Sequence, residues 1–489
     1  MIASSVVARA AMACEEGDDS AAFRDYLLGD PRLAPILSDP KRFKAQVLLT
    51  EVVSTSHPCT NEECPQIGGH SKNTVTRQYG FRPDAEYFYP ASTVKLFGAI
   101  AACIAVRTLA KKHKGLDMDT PLRFGDGIEI GNKTETGSET ETKNTKNQIT
   151  SLRVELAKLF LVSDNAAFNL CYDITGAKGI RSWHNKHLPG EDISVTHKLR
   201  DGRDSFSDDE NNNLQPVFAR LSSDDEWTRI LDESWDEGVE MRETYKGNIE
   251  EAKHRYAIGT GHVDSDGQMV DSQLDCSRKN RCSLSAMQKG LRWLLTVDEE
   301  DIDGLMTQEG IDNDDDSHSL HPDDREFLIQ VAAAVPSGAF KFGIDAEYME
   351  AKKIATLPDE YNKFFLPGIE RAVEKYLETE CALEDEERPE VSPQNPKPMN
   401  CRITITNKLG RAYGFSVDNA HVKVVWEDDD ETFQNPKNRK AFREFFLAAV
   451  VETNSNGTVN DDLYEYETVA DPWLEALGET VAGFVWSRG

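Results

Sequence analysis

The sequence predicts a mixed α/β protein of the α+β arrangement, in which an antiparallel sheet is built from both termini and a helical subdomain lies between them. Three observations support this class. Short β-branched segments occur before residue 91 and again after residue 400. Long apolar or helix-periodic segments occupy the middle of the chain. Strands at both ends with a helical middle suggest one sheet built from the two termini, and no internal repeat is apparent.

The N-terminal half supplies the first strands and most of the predicted helices. Residues 21–48 are typical of a helix with a break at Gly29-Asp30-Pro31, and strands are predicted at Gln46–Val53 and Thr74–Tyr79. The almost uninterrupted apolar stretch from Ser92 to Leu109 predicts a buried helix. Further helices are predicted at 151–162, 166–174 and 284–296.

The C-terminal part changes character twice. Residues 326–380 look helical, and the proline-rich stretch 389–398 is typical of a linker. Alternating patterns then predict strands at Cys401–Thr406, Phe415–Trp426 and Phe445–Val451, followed by a helix over Trp473–Val485.

We therefore expect one discontinuous domain over residues 20–489, although the length alone would allow two to four domains. Its predicted parts are an α/β subdomain (20–91 and 400–489), a helical subdomain (92–297) and an acidic and helical insertion (298–399). Residues 1–19 are interpreted as the remnant of a leader or as a flexible tail.

The charge balance excludes several classes of partner. The 489 residues include 86 acidic and 55 basic side chains, a net charge of −31, which disfavours binding to nucleic acid or to anionic lipid. No apolar run approaches the ~20 residues of a membrane span. Residues 298–326 carry 13 acidic residues and one basic residue, which predicts a solvated surface. A calcium loop beginning at Asp301 would place Gly310 where glutamate is required.

Nine cysteines occur at uneven spacings that match no zinc pattern, so we expect no metal and no cofactor. The pairs Cys59/Cys64, Cys276/Cys282 and Cys381/Cys401 allow local disulfides in an exported protein or a set of free thiols. Small residues before Cys14 resemble part of a secretory leader. We therefore expect a periplasmic or extracellular location.

The segment Ser92-Thr93-Val94-Lys95 places a serine at a helix start and a lysine three residues later on the same face. Backbone N–H groups and the helix dipole favour negative charge at this position. Burial lowers the pKa of a lysine, which lets its amine act as a base toward a hydroxyl. An N-cap followed by an ordinary helix lysine is the alternative. Ser38-Asp39-Pro40-Lys41 has the same spacing, but it is better explained as a simple cap.

Two further segments carry polar groups of the same chemistry. Ser163-Asp164-Asn165 lies between two predicted helices, where it supplies a hydroxyl and an amide or serves only as turn and capping residues. Lys408-Leu409-Gly410 joins a strand lysine to a glycine that permits close backbone approach, which favours binding of an anion or an oxyanion. Lys341-Phe342-Gly343 has the same spacing, but it lies in a helical region without a following strand.

In the order Ser-x-x-Lys, Ser-Asp-Asn and Lys-x-Gly, these three segments resemble the motifs of class A β-lactamases and penicillin-binding proteins. The resemblance covers roughly residues 43–180, 283–297 and 400–489, including Gly414, Asp418 and Ala420 after the third motif. It implies the β-lactamase/transpeptidase fold, with the active site in a cleft between the two subdomains.

The resemblance also implies a role for each residue. Ser92 is the acylating nucleophile, Lys95 its general base, and Ser163 relays a proton to the leaving nitrogen. Asn165 binds the side-chain amide of the substrate, and Lys408 binds the substrate carboxylate. The backbone N–H groups of Ser92 and Arg411 form the oxyanion hole beside Gly410.

Two departures from the family pattern affect the expected activity. Leu409 replaces the usual threonine or serine, so a hydroxyl contact to a substrate carboxylate is lost, unless Arg411 compensates or the substrate lacks that group. No clear Glu-x-x-Leu-Asn segment supplies the glutamate that activates the deacylating water. Glu210, in Glu210-Asn211-Asn212-Asn213-Leu214, is the nearest match, with a solvated loop glutamate as the alternative.

The sequence thus predicts a β-lactamase-like serine hydrolase of class A type that opens β-lactam, amide or ester bonds, with antibiotic resistance as the implied role. A D-alanyl peptidase or esterase of the penicillin-binding type, with slow deacylation, is the first alternative. A catalytically inactive binding module is the second. The expected partner is a small-molecule or peptide-like substrate, and the oligomeric state is left open.

Overall fold

The fold is taken from a computed structural model of the chain. The structure describes residues 19–54, 74–125, 149–200, 213–222, 226–232, 234–235, 254–295, 319–387, 400–427 and 443–488.

A six-stranded antiparallel sheet joins the two ends of the chain. Its strands are β1 (Gln46–Ser54), β2 (Thr74–Phe81), β3 (Asn400–Asn407), β4 (Gly410–Ala412), β5 (Phe415–Glu427) and β6 (Arg443–Glu452). The order across the sheet is β3-β5-β6-β1-β2, and β4 also pairs with β5. N-terminal β1 therefore lies beside C-terminal β6, with Leu49 opposite Leu447. The predicted antiparallel sheet from both termini is confirmed.

Helices cover the sheet and form the subdomain beside it. They are α1 (Asp19–Gly29), α2 (Lys95–Ala110), α3 (Leu152–Leu161), α4 (Asn165–His187), α5 (Leu284–Leu295), α6 (Pro322–Ala333), α7 (Ala346–Ala351), α8 (Leu366–Glu387) and α9 (Asp471–Ser487). The helix predicted at 166–174 continues to His187 across a non-helical residue, Gly176. The predicted mixed class is confirmed.

The apolar run of β1 is explained by burial on both faces of the sheet. Successive side chains of a strand point to opposite faces. Leu48 lies in the core that contains α2 to α5, whereas Val47 and Leu49 lie in a second core with α1 and α9. A buried amide fixes α5 on the first face, because Gln288 accepts from Thr50 Oγ1 at 2.6 Å and donates to Leu48 O at 3.0 Å.

The predicted insertion is more closely integrated than its charge suggests. Its described part consists of α6, α7 and α8 joined by 3₁₀ turns, and α8 packs against α9. Asp324, within the acidic stretch, is fully buried and accepts from Arg107 at 2.6 and 2.7 Å. The expectation of a solvated surface is therefore wrong at this residue. The candidate calcium loop and the proline-rich stretch 389–398 lie outside the described residues.

Residues 91–110 are long and apolar enough to cross a bilayer, contrary to the expectation that no apolar run approaches that length. Of the apolar window in this stretch, 72% is buried inside the protein. Burial among other helices explains the apolar character, because a core helix meets the same test of length and composition as a membrane span.

Glycines permit the close crossing of α8 and α9. A Cβ atom on Gly368 would collide with the backbone of Glu475, and one on Gly478 would lie 2.6 Å from Phe365 O. We predict that Gly368→Ala lowers the free energy of unfolding by ~1–3 kcal/mol, because the two helix backbones must separate. Thermal and urea unfolding measure the change.

Gly338→Ala is the matched control, since no atom lies within 4 Å of the Cβ position there. It is expected to leave stability close to that of the unmodified protein. Equal stability of the two variants would contradict the close-crossing interpretation.

Candidate active site

Ser92 lies in a 3₁₀ turn, Ala91–Val94, that leads directly into α2. Thr93 fixes this turn by donating from its N–H and its hydroxyl to Pro90 O, at 3.1 and 2.6 Å. Ala91 adopts a left-handed backbone conformation (φ 50°), which is rare for a residue with a side chain. The turn holds half-buried Ser92 at the positive end of a buried helix.

Lys95 is fully buried beneath this turn, and its side chain connects two motifs. Its Nζ donates to Ser163 O at 2.5 Å, to Ser163 Oγ at 3.2 Å and to Asn165 Oδ1 at 2.6 Å. Burial is the main cause that holds the pKa of Lys95 well below its usual value, with repulsion from Lys408 next, while Asp164 opposes the shift. Burial therefore favours the neutral amine of Lys95, which is the form that can accept a proton.

Ser163 and Asn165 are held at the start of α4 by the residue between them. Asp164 caps the helix by accepting from Ala167 N at 2.9 Å, and Ser163 has a left-handed backbone (φ 53°). Asn165 also donates through Nδ2 to Arg200 O at 2.5 Å. The cap thus directs one hydroxyl and one amide toward Lys95.

Lys408 approaches the same hydroxyl from the sheet. Its Nζ donates to Ser163 Oγ at 2.9 Å and to Leu409 O at 2.8 Å. Burial lowers the pKa of Lys408 to about 7, against the attraction of Asp418 and with a further contribution from Lys363. Ser163 therefore lies between two buried lysine amines, an arrangement suited to moving a proton.

Gly410 brings β4 against the serine turn. A Cβ atom at this position would lie 2.6 Å from Ser92 N, 2.9 Å from Thr93 N and 3.0 Å from Pro90 O. Only glycine fits without displacing backbone, so the predicted close approach is present. Gly410 and the adjoining Arg411 of β4 therefore lie beside the turn that carries Ser92.

The side chain of Arg411 is already engaged by other groups. Its guanidinium forms an ion pair with Asp471, contacts Ser416 Oγ at 3.3 Å and stacks on Phe364 at 4.2 Å from the ring centroid. Binding of a substrate carboxylate by Arg411 would have to compete with Asp471. The structure therefore gives no support to Arg411 as a freely available replacement for the hydroxyl that Leu409 lacks.

Glu210 lies outside the described residues. In the described part of the chain, the one carboxylate that acts on Lys95 is that of Asp164. Its two oxygens already accept from the Ala167 N–H, from Tyr348 Oη at 2.7 Å and from Lys352 Nζ at 2.9 Å. Asp164 is thus a structural group rather than an available base.

The sequence did not indicate the residues that hold the second and third motifs in position through hydrogen bonds and ion pairs. Tyr348 and Lys352, on and just after α7, hold Asp164, and Lys363 contacts Asn407 beside Lys408. The i,i+4 spacing of Tyr348 and Lys352 predicts a shared helix face but not what that face contacts.

Other candidate residues have structural roles. The polar, helical sequence around His184 and His187 predicts a surface helix rather than a pair of metal ligands. In the structure His184 is buried and its Nε2 lies 3.2 Å from Glu191 O, while His187 packs against Trp183 and Trp293. Cys276 and Cys282 are buried as thiols. No group of three or more possible metal ligands occurs among the residues that the structure describes.

Comparison with known proteins gives one family match. Residues 49–223 match the model described as the β-lactamase enzyme family, a range that contains Ser92, Lys95, Ser163 and Asn165. No curated protein matches the sequence.

Solved structures match over most of the chain at low identity. They include a variant of the class A β-lactamase of the last common ancestor of Gram-negative bacteria, bound to 5(6)-nitrobenzotriazole (14% identity, 93% of this chain and 98% of that one, TM-score 0.38). A mutant of PBP-A in an acyl-enzyme complex with penicillin G matches at 10% identity (96% of each chain, TM-score 0.41). The chromosome-encoded β-lactamase of Vibrio parahaemolyticus matches at 12% identity (93% and 99%, TM-score 0.35).

The cap at Asp164 gives a pH-dependent prediction. Burial acts to raise the pKa of this carboxyl, but hydrogen bonds from Tyr348, the Ala167 N–H and Lys352 lower it to about 2. A folded-state pKa below the unfolded value contributes stability that is present above pH ~4 and lost as the pH falls toward 2. Asp164→Asn should therefore cost about 2 kcal/mol of unfolding free energy at pH 7 and roughly half of that at pH 3.

Urea unfolding of both proteins at several pH values measures this difference. Asparagine keeps the capping oxygen, so a lost cap is not the cause of any change. A cost that stayed constant from pH 7 to pH 3 would contradict the role of the ionised carboxylate.

Proposed function

We propose that this chain, a member of the β-lactamase and penicillin-binding protein family of serine hydrolases, works through an acyl-enzyme on Ser92. The observation that carries the proposal is the convergence of Lys95, Ser163 and Lys408 beneath the turn that bears Ser92. These three side chains come from α2, the α3–α4 junction and the β3–β4 junction, so only the folded chain assembles them.

The proposed acylation uses these groups in order. The neutral amine of Lys95 takes the hydroxyl proton of Ser92 as the serine oxygen attacks the carbonyl carbon of the substrate. The N–H groups of Ser92 and Arg411 stabilise the resulting oxyanion. Ser163 donates a proton to the leaving nitrogen as the C–N bond breaks, and its hydroxyl is reprotonated from the lysine amines that contact it. The product is an ester on Ser92 with the amine still attached in a cyclic substrate.

The same geometry supports a substrate that carries an amide and a carboxylate, as β-lactams do. The Asn165 amide group donates one hydrogen to Arg200 O, so its second amide hydrogen can donate to a substrate carbonyl. Lys408 in its protonated form would bind the carboxylate. Related amides and esters fit the same site, since the attack on a carbonyl carbon is common to all of them.

The acyl-enzyme can be hydrolysed rapidly or slowly, and each rate corresponds to a different enzyme. We propose rapid hydrolysis, by a class A-type β-lactamase, as the first alternative. The second is a penicillin-binding peptidase or esterase that deacylates slowly. Among the described residues, which do not include Glu210, it is favoured by the engagement of both Asp164 oxygens, because a water-activating base must be free to take a proton. Export to the periplasm or exterior is also a proposal, supported by the leader-like N-terminus.

We predict that incubation with a penicillin adds the mass of the intact drug to the protein, and that peptide mapping places the adduct on Ser92. Ser92→Ala should abolish the adduct, because the attacking hydroxyl is lost and the other hydroxyl on this turn, that of Thr93, donates to Pro90 O. Ser38→Ala is the matched control, since exposed Ser38 has the same spacing to a lysine and should leave labelling unchanged. A folded protein that takes up neither penicillin nor an activated ester at Ser92 would refute the proposal.

Leu199 offers a test of the deacylation step. This residue is 8% exposed, and its backbone N–H and C=O are held by Asn169 on α4 at 2.8 Å each. The next carbonyl, that of Arg200, accepts from Asn165, which contacts Lys95. The backbone at position 199 is thus held beside Arg200 and Asn165, the residues that lead to Lys95.

If the absence of a base limits turnover, Leu199→Glu should speed hydrolysis of the acyl-enzyme at least tenfold. Leu199→Gln, which has the same shape but cannot take a proton, should not. Decay of the acyl-enzyme followed by intact-mass spectrometry gives both rates. Equal rates in the two folded variants would show that the lack of a base at this position is not what limits turnover.

A further inference from the structure

One buried lysine of the segment between α6 and α8, Lys363, contacts the residue that precedes Lys408 of the candidate active site. Lys363 is 2% exposed, and its Nζ donates to Ala332 O and to Asn407 Oδ1, each at 2.6 Å. Asn407 is the last residue of β3 and immediately precedes Lys408. Lys363 is therefore placed behind the strand that carries the proposed carboxylate-binding lysine.

One buried carboxylate, that of Asp418, lies next to both lysines in this network. Asn407 links it to Lys363, and the Lys408 N–H donates to the neighbouring Asn419 O at 3.2 Å. Asn407 Nδ2 donates to Asp418 Oδ1 at 2.8 Å and to Asn362 O at 2.9 Å, and the Asn419 N–H also donates to Asp418 Oδ1, at 2.9 Å. Asp418, on β5, is fully buried and attracts both Lys363 and Lys408. One carboxylate cannot balance two buried ammonium groups, so the charges of the two lysines oppose each other.

We propose that Lys363 is a positioning residue that controls the charge of Lys408 by competing with it for Asp418. Because the substrate carboxylate binds protonated Lys408, this competition sets the highest pH at which the site binds an anionic substrate. The inference rests on the proposed function, because it assigns the substrate carboxylate to protonated Lys408. It goes further by giving the inserted segment a part in the electrostatics of the site.

The titration of the three groups is consistent with this competition. Burial lowers the pKa of Lys363 to about 7 and that of Lys408 to about 7, with Asp418 opposing both shifts. Burial raises the pKa of Asp418 to about 6, while Asn407 and the two lysines oppose that shift. All three groups therefore titrate near neutral pH, where a change in one alters the others.

Further charges act on this network: Asp418 also attracts Arg411, on β4, and other groups face Lys95. Lys408 repels Lys95, Lys352 adds a smaller repulsion, and Asp164 attracts it. If Lys408 keeps its proton to higher pH, the pKa of Lys95 is pushed down rather than up. Loss of the Lys363 charge is thus expected to shift the basic limb of the pH profile of acylation, which reports Lys408. It is not expected to shift the acidic limb, which reports Lys95, to higher pH.

A purely structural role for Lys363 would not need a charge. Its two acceptors, a backbone carbonyl and an amide oxygen, are neutral, and both could accept from an uncharged amide donor. An uncharged replacement that fills the same space would separate the two explanations, since only the electrostatic one predicts a shifted pH profile.

The test is the pH dependence of the second-order rate constant for acylation of Ser92 by a penicillin, from pH 5 to 10. Lys363→Gln keeps a hydrogen-bond donor and removes the charge, so Lys363 no longer opposes the attraction between Asp418 and Lys408. The basic limb should move up by about one pH unit. Lys363→Met tests the same loss of charge without the donor.

Asp418→Asn should have the opposite effect. Asparagine keeps the oxygen that accepts from Asn407 but removes the charge that stabilises Lys408, so the basic limb should move down by a similar amount. Lys341→Met, an exposed lysine of the same insertion, is the control and should leave the profile in place. A general loss of packing would lower the rate in every variant without moving the limbs in opposite directions.

The outcomes separate the two proposals. If the unmodified protein forms no adduct at any pH, the proposed function fails. If it is acylated but the basic limb stays fixed, or moves in the same direction in the Lys363 and Asp418 variants, the competition is refuted. Should both Lys363 variants fail to fold, Asp418→Asn decides alone, and an unmoved basic limb in that variant overturns the inference.

Discussion

The burial of the Lys95 amine is the constraint on which the rest of the site depends. An ammonium group with no exposure is costly, so the surroundings must either supply counter-charge or let the amine become neutral. Here the direct contacts are the carbonyl and hydroxyl of Ser163 and the amide oxygen of Asn165, none of which is charged. This environment favours the neutral amine, which is the form that can take a proton from Ser92.

The burial of Lys95 also explains why residues from several parts of the chain hold the site in place. Ser163 adopts a left-handed backbone to present its carbonyl and hydroxyl, and Asp164 holds that conformation by capping α4. Asp164 is fixed in turn by Tyr348 and Lys352, which belong to the insertion. The insertion therefore supports the start of α4 through Asp164 and the end of β3, next to Lys408, through Lys363. Its acidic composition suggested only a surface role.

Much of the fold could be predicted because its strands and helices are continuous local patterns. The strand predicted at Phe415–Trp426 is observed at Phe415–Glu427, and the apolar helix begins at the predicted serine turn. Expectations failed where a polar residue was judged by its neighbours in sequence. Asp324 and His184 were both assigned to solvated surfaces, yet one pairs with Arg107 and the other is buried beside Glu191. Their partners lie in other turns or elements, which composition does not reveal.

The sequence by itself determined the class of fold and the order of the three motifs, because spacing, helix starts and strand alternation are encoded locally. It also determined that Gly410 allows close backbone approach. Only the tertiary structure decided that Ser163 lies between Lys95 and Lys408, that Arg411 is paired with Asp471, and that Asn407 links Lys363 to Asp418. These relations join residues from distant parts of the chain, and burial sets their strength, so they exist only once the chain is folded.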